Sequence, residues 1–138
     1  MRLWHYKLLP YLPISQLLAQ KRECDLILKD WHNGKKTNHI LINYIHECSD
    51  FNFVVYYTKL YMAFKERNFK FDDKYDVVNM LLSNSNLDCY KDYHNKEYLT
   101  ICYWNLREKY LRGQKDFMDD VWNKLDKFYQ DFMKGEQK

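Results

Sequence analysis

The sequence predicts an all-α fold, a compact helical bundle formed by one domain of 138 residues. Only three glycines and two prolines interrupt the chain, so few positions favour turns. No pair of alternating strand patterns joined by a tight turn is present. Near the carboxyl end, apolar residues recur at helical spacing. These residues are Phe117, Val121, Leu125, Phe128 and Phe132.

Capping and breaking residues divide the chain into helical segments. Pro13 is tolerated in a first helical turn, and Gly34 lies in a basic loop that follows. Ser49 and Asn95 can each cap the next helix, and Gly113 can end the helix before it. Because residues 37–47 include a run with β-branched side chains, this segment could form a strand instead of a helix. The predicted helices span residues 13–31, 37–47, 50–67, 72–82, 95–112 and 115–134, with a loop over 83–86.

The net charge of +3 is unevenly distributed. Residues 1–70 carry 11 Lys and Arg against 6 Asp and Glu, a net +5, whereas residues 71–138 carry 11 against 13, a net −2. A basic half is expected if it faces a polyanion such as nucleic acid. A chance asymmetry of solvated faces is the alternative.

Several classes of protein find no support in the sequence. No apolar run approaches the ~20 residues of a membrane helix. Lys7, Pro10 and Pro13 interrupt the apolar amino-terminal stretch, and no small-residue cleavage site follows, so we expect a cytoplasmic protein without a membrane partner. No P-loop, dinucleotide fingerprint or nucleophile elbow is present.

The residues that could ligate a metal are spaced irregularly. The four cysteines are scattered without a C-x-x-C pair. His32, His39, His46 and Cys48 match no standard ligand spacing, so we expect no metal site.

The amino terminus and the first helix supply a candidate catalytic pair. An α-amino group ordinarily has a pKa of about 7.7–8.0, so its unprotonated fraction can form a Schiff base. Glu23 projects from the helix face that also carries Gln16 and Gln20, opposite the apolar face, and an ordinary exposed glutamate is the alternative. The apolar face comprises Ile14, Leu17, Leu18, Cys24 and Leu28.

Other side chains allow two interpretations each. Lys35 and Lys36 could contact phosphates or belong to a solvated loop. His5 could touch a phosphate or substrate, or make a packing contact. The aromatic residues could stack on bases or belong to the core, and core is the more common outcome. They are Tyr56, Tyr57, Tyr103 and Trp104.

Three stretches resemble the pyrimidine-dimer DNA glycosylase family, of the endonuclease V type, in its bacterial branch. The chain begins Met-Arg-Leu-Trp-His and continues with Leu-Pro-Tyr-Leu-Pro at residues 9–13. Residues 16–24, Gln-Leu-Leu-Ala-Gln-Lys-Arg-Glu-Cys, match the family's helix with the catalytic glutamate. Weaker similarity continues at residues 56–69 and 112–117.

This resemblance implies an all-α DNA glycosylase with abasic-site lyase activity. The amine of Met1 would attack C1′ of the damaged nucleotide, because the bulky Arg2 prevents removal of Met1. Glu23 would be the essential carboxylate. The implied partner is double-stranded damaged DNA, bound by a nucleoid-associated monomer that bends the duplex and flips a nucleotide, with no cofactor. The expected DNA-contacting residues are Arg2, His5, Gln16, Arg22, Lys35 and Lys36.

Two other functions are also compatible with the sequence. A helical DNA-binding protein could retain the fold without catalysis. A protein-interaction module could instead use the aromatic surface.

Overall fold

The computed structural model describes residues 1–84 and 87–136, and within these ranges it contains helices and no β-strand. The predicted all-α class is therefore confirmed. The helices are α1 (Ile14–His32), α2 (Asp50–Glu66), α3 (Lys96–Leu111) and α4 (Asp119–Glu136). Short 3₁₀ helices occupy Tyr6–Tyr11, Asn43–Glu47 and Met80–Asn84.

Two predicted helices are wrong, and in both segments side chains accept hydrogen bonds from backbone amides in a non-helical arrangement. In the segment 37–47, Asn43 accepts from the amide of His39, and only Asn43–Glu47 forms a 3₁₀ helix. In the segment 72–82, the Asp73 carboxylate accepts from the amides of Val77 and Val78, and helical structure begins only at Met80.

The loop predicted over residues 83–86 is partly tested. Ser83 and Asn84 lie in the 3₁₀ helix Met80–Asn84, whereas Ser85 and Asn86 lie outside the described residues.

The predicted caps of α2 and α3 are confirmed, whereas α1 is capped from elsewhere in the chain. Ser49 Oγ accepts from the amide of Phe51, and Asn95 Oδ1 accepts from the amide of Tyr98. Pro13 offers no capping side chain, so Asp116 accepts from both the amide and the hydroxyl of Ser15. The helix α4 begins at Asp119 rather than at residue 115, so Asp116 lies before it.

An amino-terminal arm, residues 1–12, runs through the protein and contacts all four α-helices. Its leucines at positions 3, 8, 9 and 12 are fully buried. The arm bonds to Gln20 of α1, Tyr56 of α2 and Tyr98 of α3, and Tyr11 stacks on Phe128 of α4. The amino terminus is therefore held by tertiary contacts rather than projecting as a free end.

The buried face of α1 differs from the predicted one. Leu17, Cys24 and Leu28 are buried, but Ile14 and Leu18 are 46% and 37% exposed. On another side of α1, Gln20 is buried because the arm covers it, and Lys21 is buried against Phe71. None of the helices in the described part of the chain is long and apolar enough to cross a membrane.

Candidate active site at the amino terminus

The amino-terminal residue lies in an open cleft of about 260 Å³. The cleft is built from four parts of the chain: the arm, α1, the loop after His39 and the distant helix α3. Its lining residues are Met1, Arg2, Trp4, Gln16, Glu23, Leu41, Asn105 and Lys109. Both members of the catalytic pair proposed from the sequence therefore face the same space.

Gln20 connects the arm to this pair. Its side chain is buried, 1% exposed. Gln20 Oε1 accepts from the amide of Trp4 at 2.8 Å, and Gln20 Nε2 donates to the carbonyl of Arg2 at 3.1 Å. The same Nε2 donates to Glu23 Oε2 at 3.2 Å. One amide group thus holds the arm's backbone and orients the carboxylate.

The electrostatic surroundings of Glu23 suit a group that exchanges a proton. Burial raises the pKa of the Glu23 carboxyl above its ordinary value. The positive charge of the Met1 amine and the backbone N–H of Arg2 act in the opposite direction, with smaller effects from Arg22 and His39. A carboxyl with a raised pKa can be protonated more readily at working pH, as a general acid requires.

The Met1 nitrogen has a second neighbour, His39. Its Nε2 lies 3.2 Å from the terminal nitrogen. The backbone N–H of Leu41 donates to His39 Nδ1 at 3.3 Å, and the N–H of His39 donates to Asn43 Oδ1 at 2.8 Å. The loop therefore holds the imidazole with Nε2 towards the amine.

The predicted cationic residues near the pair differ in their surroundings: Arg2 packs against aromatic rings, whereas Arg22 is exposed. The Arg2 guanidinium lies 5.9 Å from the ring centres of both Trp4 and Tyr98, and it interacts with the Tyr98 hydroxyl. Arg22 is exposed. Lys109 of α3 lines the cleft as well. The cleft is consequently lined by positive charge from the arm and from α3, and Arg22 adds an exposed cation on α1 next to Glu23.

Gln16 lines the cleft and contacts the segment between α3 and α4. Its Nε2 donates to Gln114 Oε1 at 3.1 Å. The structure thus places this predicted DNA-contacting residue beside Met1 and Glu23.

Lys35 and Lys36 lie at a different cleft, of about 410 Å³, which does not include Met1 or Glu23. Both lysines are exposed. Their loop continues along the chain to His39, whose ring nitrogen contacts the Met1 amine, so only a few residues separate this cleft from the amine cleft. Only a DNA duplex that spans both clefts could contact Lys35 and Lys36 together with the cations of the amine cleft.

His5 requires a correction, because it lies in the interior and is 2% exposed. Its Nδ1 accepts from the amide of Lys7, and its ring stacks on Tyr6. Burial lowers the pKa of His5 to about 4, so the ring is neutral at physiological pH. His5 stabilises the arm by packing and does not present itself to a phosphate.

The aromatic candidates separate clearly into core and surface. Tyr56 and Tyr57 are fully buried and Tyr103 is nearly so, which confirms the core interpretation for these three. Trp104 is 54% exposed, and the Arg107 guanidinium lies 5.2 Å from its ring centre. Among the four aromatic candidates, Trp104 alone retains a substantial exposed face.

Four polar residues of the site were not predicted from the sequence to belong to it: Gln20, His39, Asn105 and Lys109. A signal existed for Gln20, because residues three apart on a helix are neighbours and Gln20 precedes Glu23 by three. His39, Asn105 and Lys109 come from segments 38 to 108 positions away from Met1. No local pattern marks them. No cluster of three or more possible metal-ligating His, Cys, Asp or Glu occurs among the residues that the structure describes.

Comparison with family models identifies the class of protein as a DNA glycosylase. The model described as pyrimidine dimer DNA glycosylase matches residues 1–77, which is more than half of the chain. The chain therefore belongs to the pyrimidine dimer DNA glycosylase family. No curated protein and no solved structure gives a significant match. The matched region contains the arm, α1 and α2, whereas Asn105 and Lys109 lie beyond it.

Proposed function

We propose that this protein removes a damaged pyrimidine from double-stranded DNA and then cleaves the resulting abasic site, acting as a monomer on nucleoid DNA. The observation that carries the proposal is the position of the Met1 amine and Glu23 in one cleft. Family membership supports glycosylase activity on DNA. The lyase step and the nucleophile rest on the chemistry of these two groups.

In the proposed first step, the unprotonated Met1 nitrogen attacks C1′ of the damaged nucleotide. The bond between C1′ and the base breaks, and the base leaves with that electron pair and gains a proton. The new ammonium loses a proton, O4′ accepts one, and the sugar ring opens to an imine. Glu23 would deliver and remove these protons, because it faces the same cleft and has a raised pKa.

In the proposed second step, a proton leaves C2′ and the phosphate departs from C3′. The cationic imine accepts the electrons of the C2′–H bond, so the strand is cut by β-elimination. This chemistry calls for no metal or organic cofactor, because the imine is the electron acceptor. Water then releases the Met1 amine.

The charges at the rim support binding of the DNA backbone. Arg2 and Lys109 line the cleft of the pair and Arg22 acts electrostatically on Glu23, and each cation that neutralises a phosphate releases a counterion. The base must leave the stack to bring C1′ within reach of an amine held in a cleft.

Borohydride trapping tests the proposal directly, since it reduces the imine to a stable adduct. Duplexes that contain either a thymine dimer or an abasic site are incubated with protein whose free Met1 amine has been verified by mass spectrometry. We expect a covalent adduct with both duplexes. Acetylation of the amine should remove it, and Glu23→Gln should reduce it by about 100-fold or more, the scale of a lost general acid–base.

The matched control is Glu66→Gln, an exposed glutamate of α2 that lies away from the amine cleft. It should form adduct at the unaltered rate. If the native protein binds damaged DNA with a salt-dependent affinity yet gives no adduct, the protein is a non-catalytic DNA-binding member of the fold. An adduct that persists after acetylation would assign the nucleophile to another amine.

A further inference from the structure

His39 is the histidine whose ring nitrogen contacts the Met1 amine, at 3.2 Å. We propose that His39 favours the unprotonated, attacking form of this amine by donating a hydrogen bond from Nε2–H. This inference rests on the proposed function for its catalytic meaning. The geometry at the amine can nevertheless be tested without DNA.

The other ring nitrogen determines which proton the imidazole carries. Because the Leu41 N–H donates to Nδ1, that atom is an acceptor and holds a lone pair. The neutral ring must then carry its proton on Nε2, the atom that faces Met1. A neutral amine has a lone pair that can accept this proton, whereas an ammonium has donors alone. The contact therefore favours the neutral amine over the ammonium.

The loop geometry keeps this arrangement in place. The His39 amide is held by Asn43 Oδ1, and the Asn43 side chain also donates to Asn38 Oδ1 at 3.1 Å. His39 is thus fixed at its backbone and at one ring nitrogen, and the second ring nitrogen is directed towards the amine. Such a preorganised donor loses little freedom when it acts.

Charged groups of both signs lie near the Met1 amine. The carboxylate of Glu23 on α1 favours the ammonium. Arg2 of the arm and Lys109 of α3 are cations that line the same cleft, and Arg22 of α1 is the exposed neighbour of Glu23 in the sequence. His39 adds a short-range, directional contribution to these charges. It would help to keep a nucleophile available although Glu23 is close.

The experiment measures the reactivity of the Met1 amine against pH. A limiting amount of an acetylating ester is added between about pH 6 and pH 10, and acetylation of Met1 is followed by tandem mass spectrometry of the amino-terminal peptide. We expect His39→Leu, which removes the donor, to slow acetylation near pH 7 by roughly 2- to 10-fold, the effect of one hydrogen bond. At high pH the variant and the native protein should react equally.

His39→Gln is the second variant, because its amide can still donate a hydrogen bond. It should shift the profile less than His39→Leu does. The matched control is His32→Gln, an exposed histidine at the end of α1, which should leave the profile unchanged. An unshifted profile in His39→Leu would overturn the proposal. So would equal shifts in the Leu and Gln variants, or a slowing that is the same at every pH.

DNA trapping over the same pH range connects the two proposals. The half-maximal pH of trapping should move upward in His39→Leu together with that of acetylation. If acetylation shifts as expected but neither protein traps DNA, the role of His39 stands and the proposed lyase function fails. If both proteins trap DNA and acetylation does not shift, the lyase function stands and the role of His39 fails.

Discussion

Gln20 and Glu23 share a hydrogen bond of 3.2 Å between Gln20 Nε2 and Glu23 Oε2 on the surface of α1 that the arm covers. The same Gln20 side chain bonds to the backbone of Arg2 and Trp4. The peptide that carries the amine and the carboxylate that would assist it are therefore positioned by one side chain. Any change at Gln20 should move both groups relative to each other.

Gln20→Leu should reduce both stability and catalysis. The amide of Trp4 would lose its acceptor in the interior, which costs about 1–3 kcal/mol. The arm would also lose its link to Glu23, so adduct formation should fall by more than the loss of folded protein explains. Urea unfolding and borohydride trapping measure the two effects. Gln130→Leu, at an exposed position on α4, is the control, and equal behaviour of the two variants would contradict the role of Gln20.

Glu23→Gln should separate stability from activity. The folded protein raises the pKa of Glu23, so it binds a proton more tightly than the unfolded chain does. The native state therefore loses stability as pH rises from the unfolded pKa through the folded one, and this loss persists at neutral pH. Replacement by a neutral amide should raise the free energy of unfolding at neutral pH by up to about 1 kcal/mol while reducing trapping by about 100-fold or more.

This gain should shrink in acid, where the carboxyl is protonated in both states. Urea unfolding of both proteins at about pH 4 and pH 7 provides the measurement. A variant that is less stable than the native protein at neutral pH, and equally so in acid, would show that the carboxylate has a purely structural role.

Two buried histidines should make the fold sensitive to acid. Burial lowers the pKa of His5 to about 4 and that of His94 well below its ordinary value. The Tyr6 amide donates to His94 Nδ1, so protonation there would break a buried hydrogen bond. Because the unfolded chain binds these protons first, stability is greatest above about pH 6.5 and falls in acid, by about 1.4 kcal/mol per pH unit for each histidine.

His5→Asn can test the contribution of one of the two, since asparagine retains an acceptor for the Lys7 amide. We expect the slope of stability against pH between about pH 4.5 and 6 to decrease by close to one proton relative to the native protein. An unchanged slope would mean that His5 titrates alike in the folded and unfolded states.

The cations at the amine cleft should contribute to the salt dependence of DNA binding. Lys109→Gln and Arg22→Gln should each weaken binding and reduce the slope of log K against log salt by about 0.9 for each phosphate that is no longer neutralised. Lys91→Gln, an exposed lysine outside both clefts, is the control. Fluorescence anisotropy at several salt concentrations gives the slopes, and slopes equal to that of the control would exclude both residues from the interface.

The same measurement decides the role of the second cleft. The double variant Lys35→Gln, Lys36→Gln should lower the slope further only if the duplex reaches that loop. A slope equal to that of the native protein would restrict the interface to the amine cleft and assign Lys35 and Lys36 to solvent.

Much of the fold follows from local sequence patterns. The ends of α1, α2 and α3 were predictable to within one or two residues, because Pro13, Ser49, Asn95 and Gly113 act on their immediate neighbours. The structure of segments 37–47 and 72–82 could not be predicted from local patterns. In these segments Asn43 and Asp73 accept hydrogen bonds from backbone amides, and a helical pattern in the sequence does not reveal such bonds. Similarly, Asp116 reaches the start of α1 from 101 positions away.

The all-α class, the family and the candidate pair of Met1 and Glu23 could all be inferred from the amino-acid sequence. Those conclusions depend on helical periodicity and on a continuous motif, which are local properties. The burial of the arm, the interior position of His5 and the contacts of Gln20 and His39 with the pair became evident in the three-dimensional structure alone. They depend on which surfaces the arm covers and on contacts between segments far apart in the chain, and no spacing along one helix contains that information.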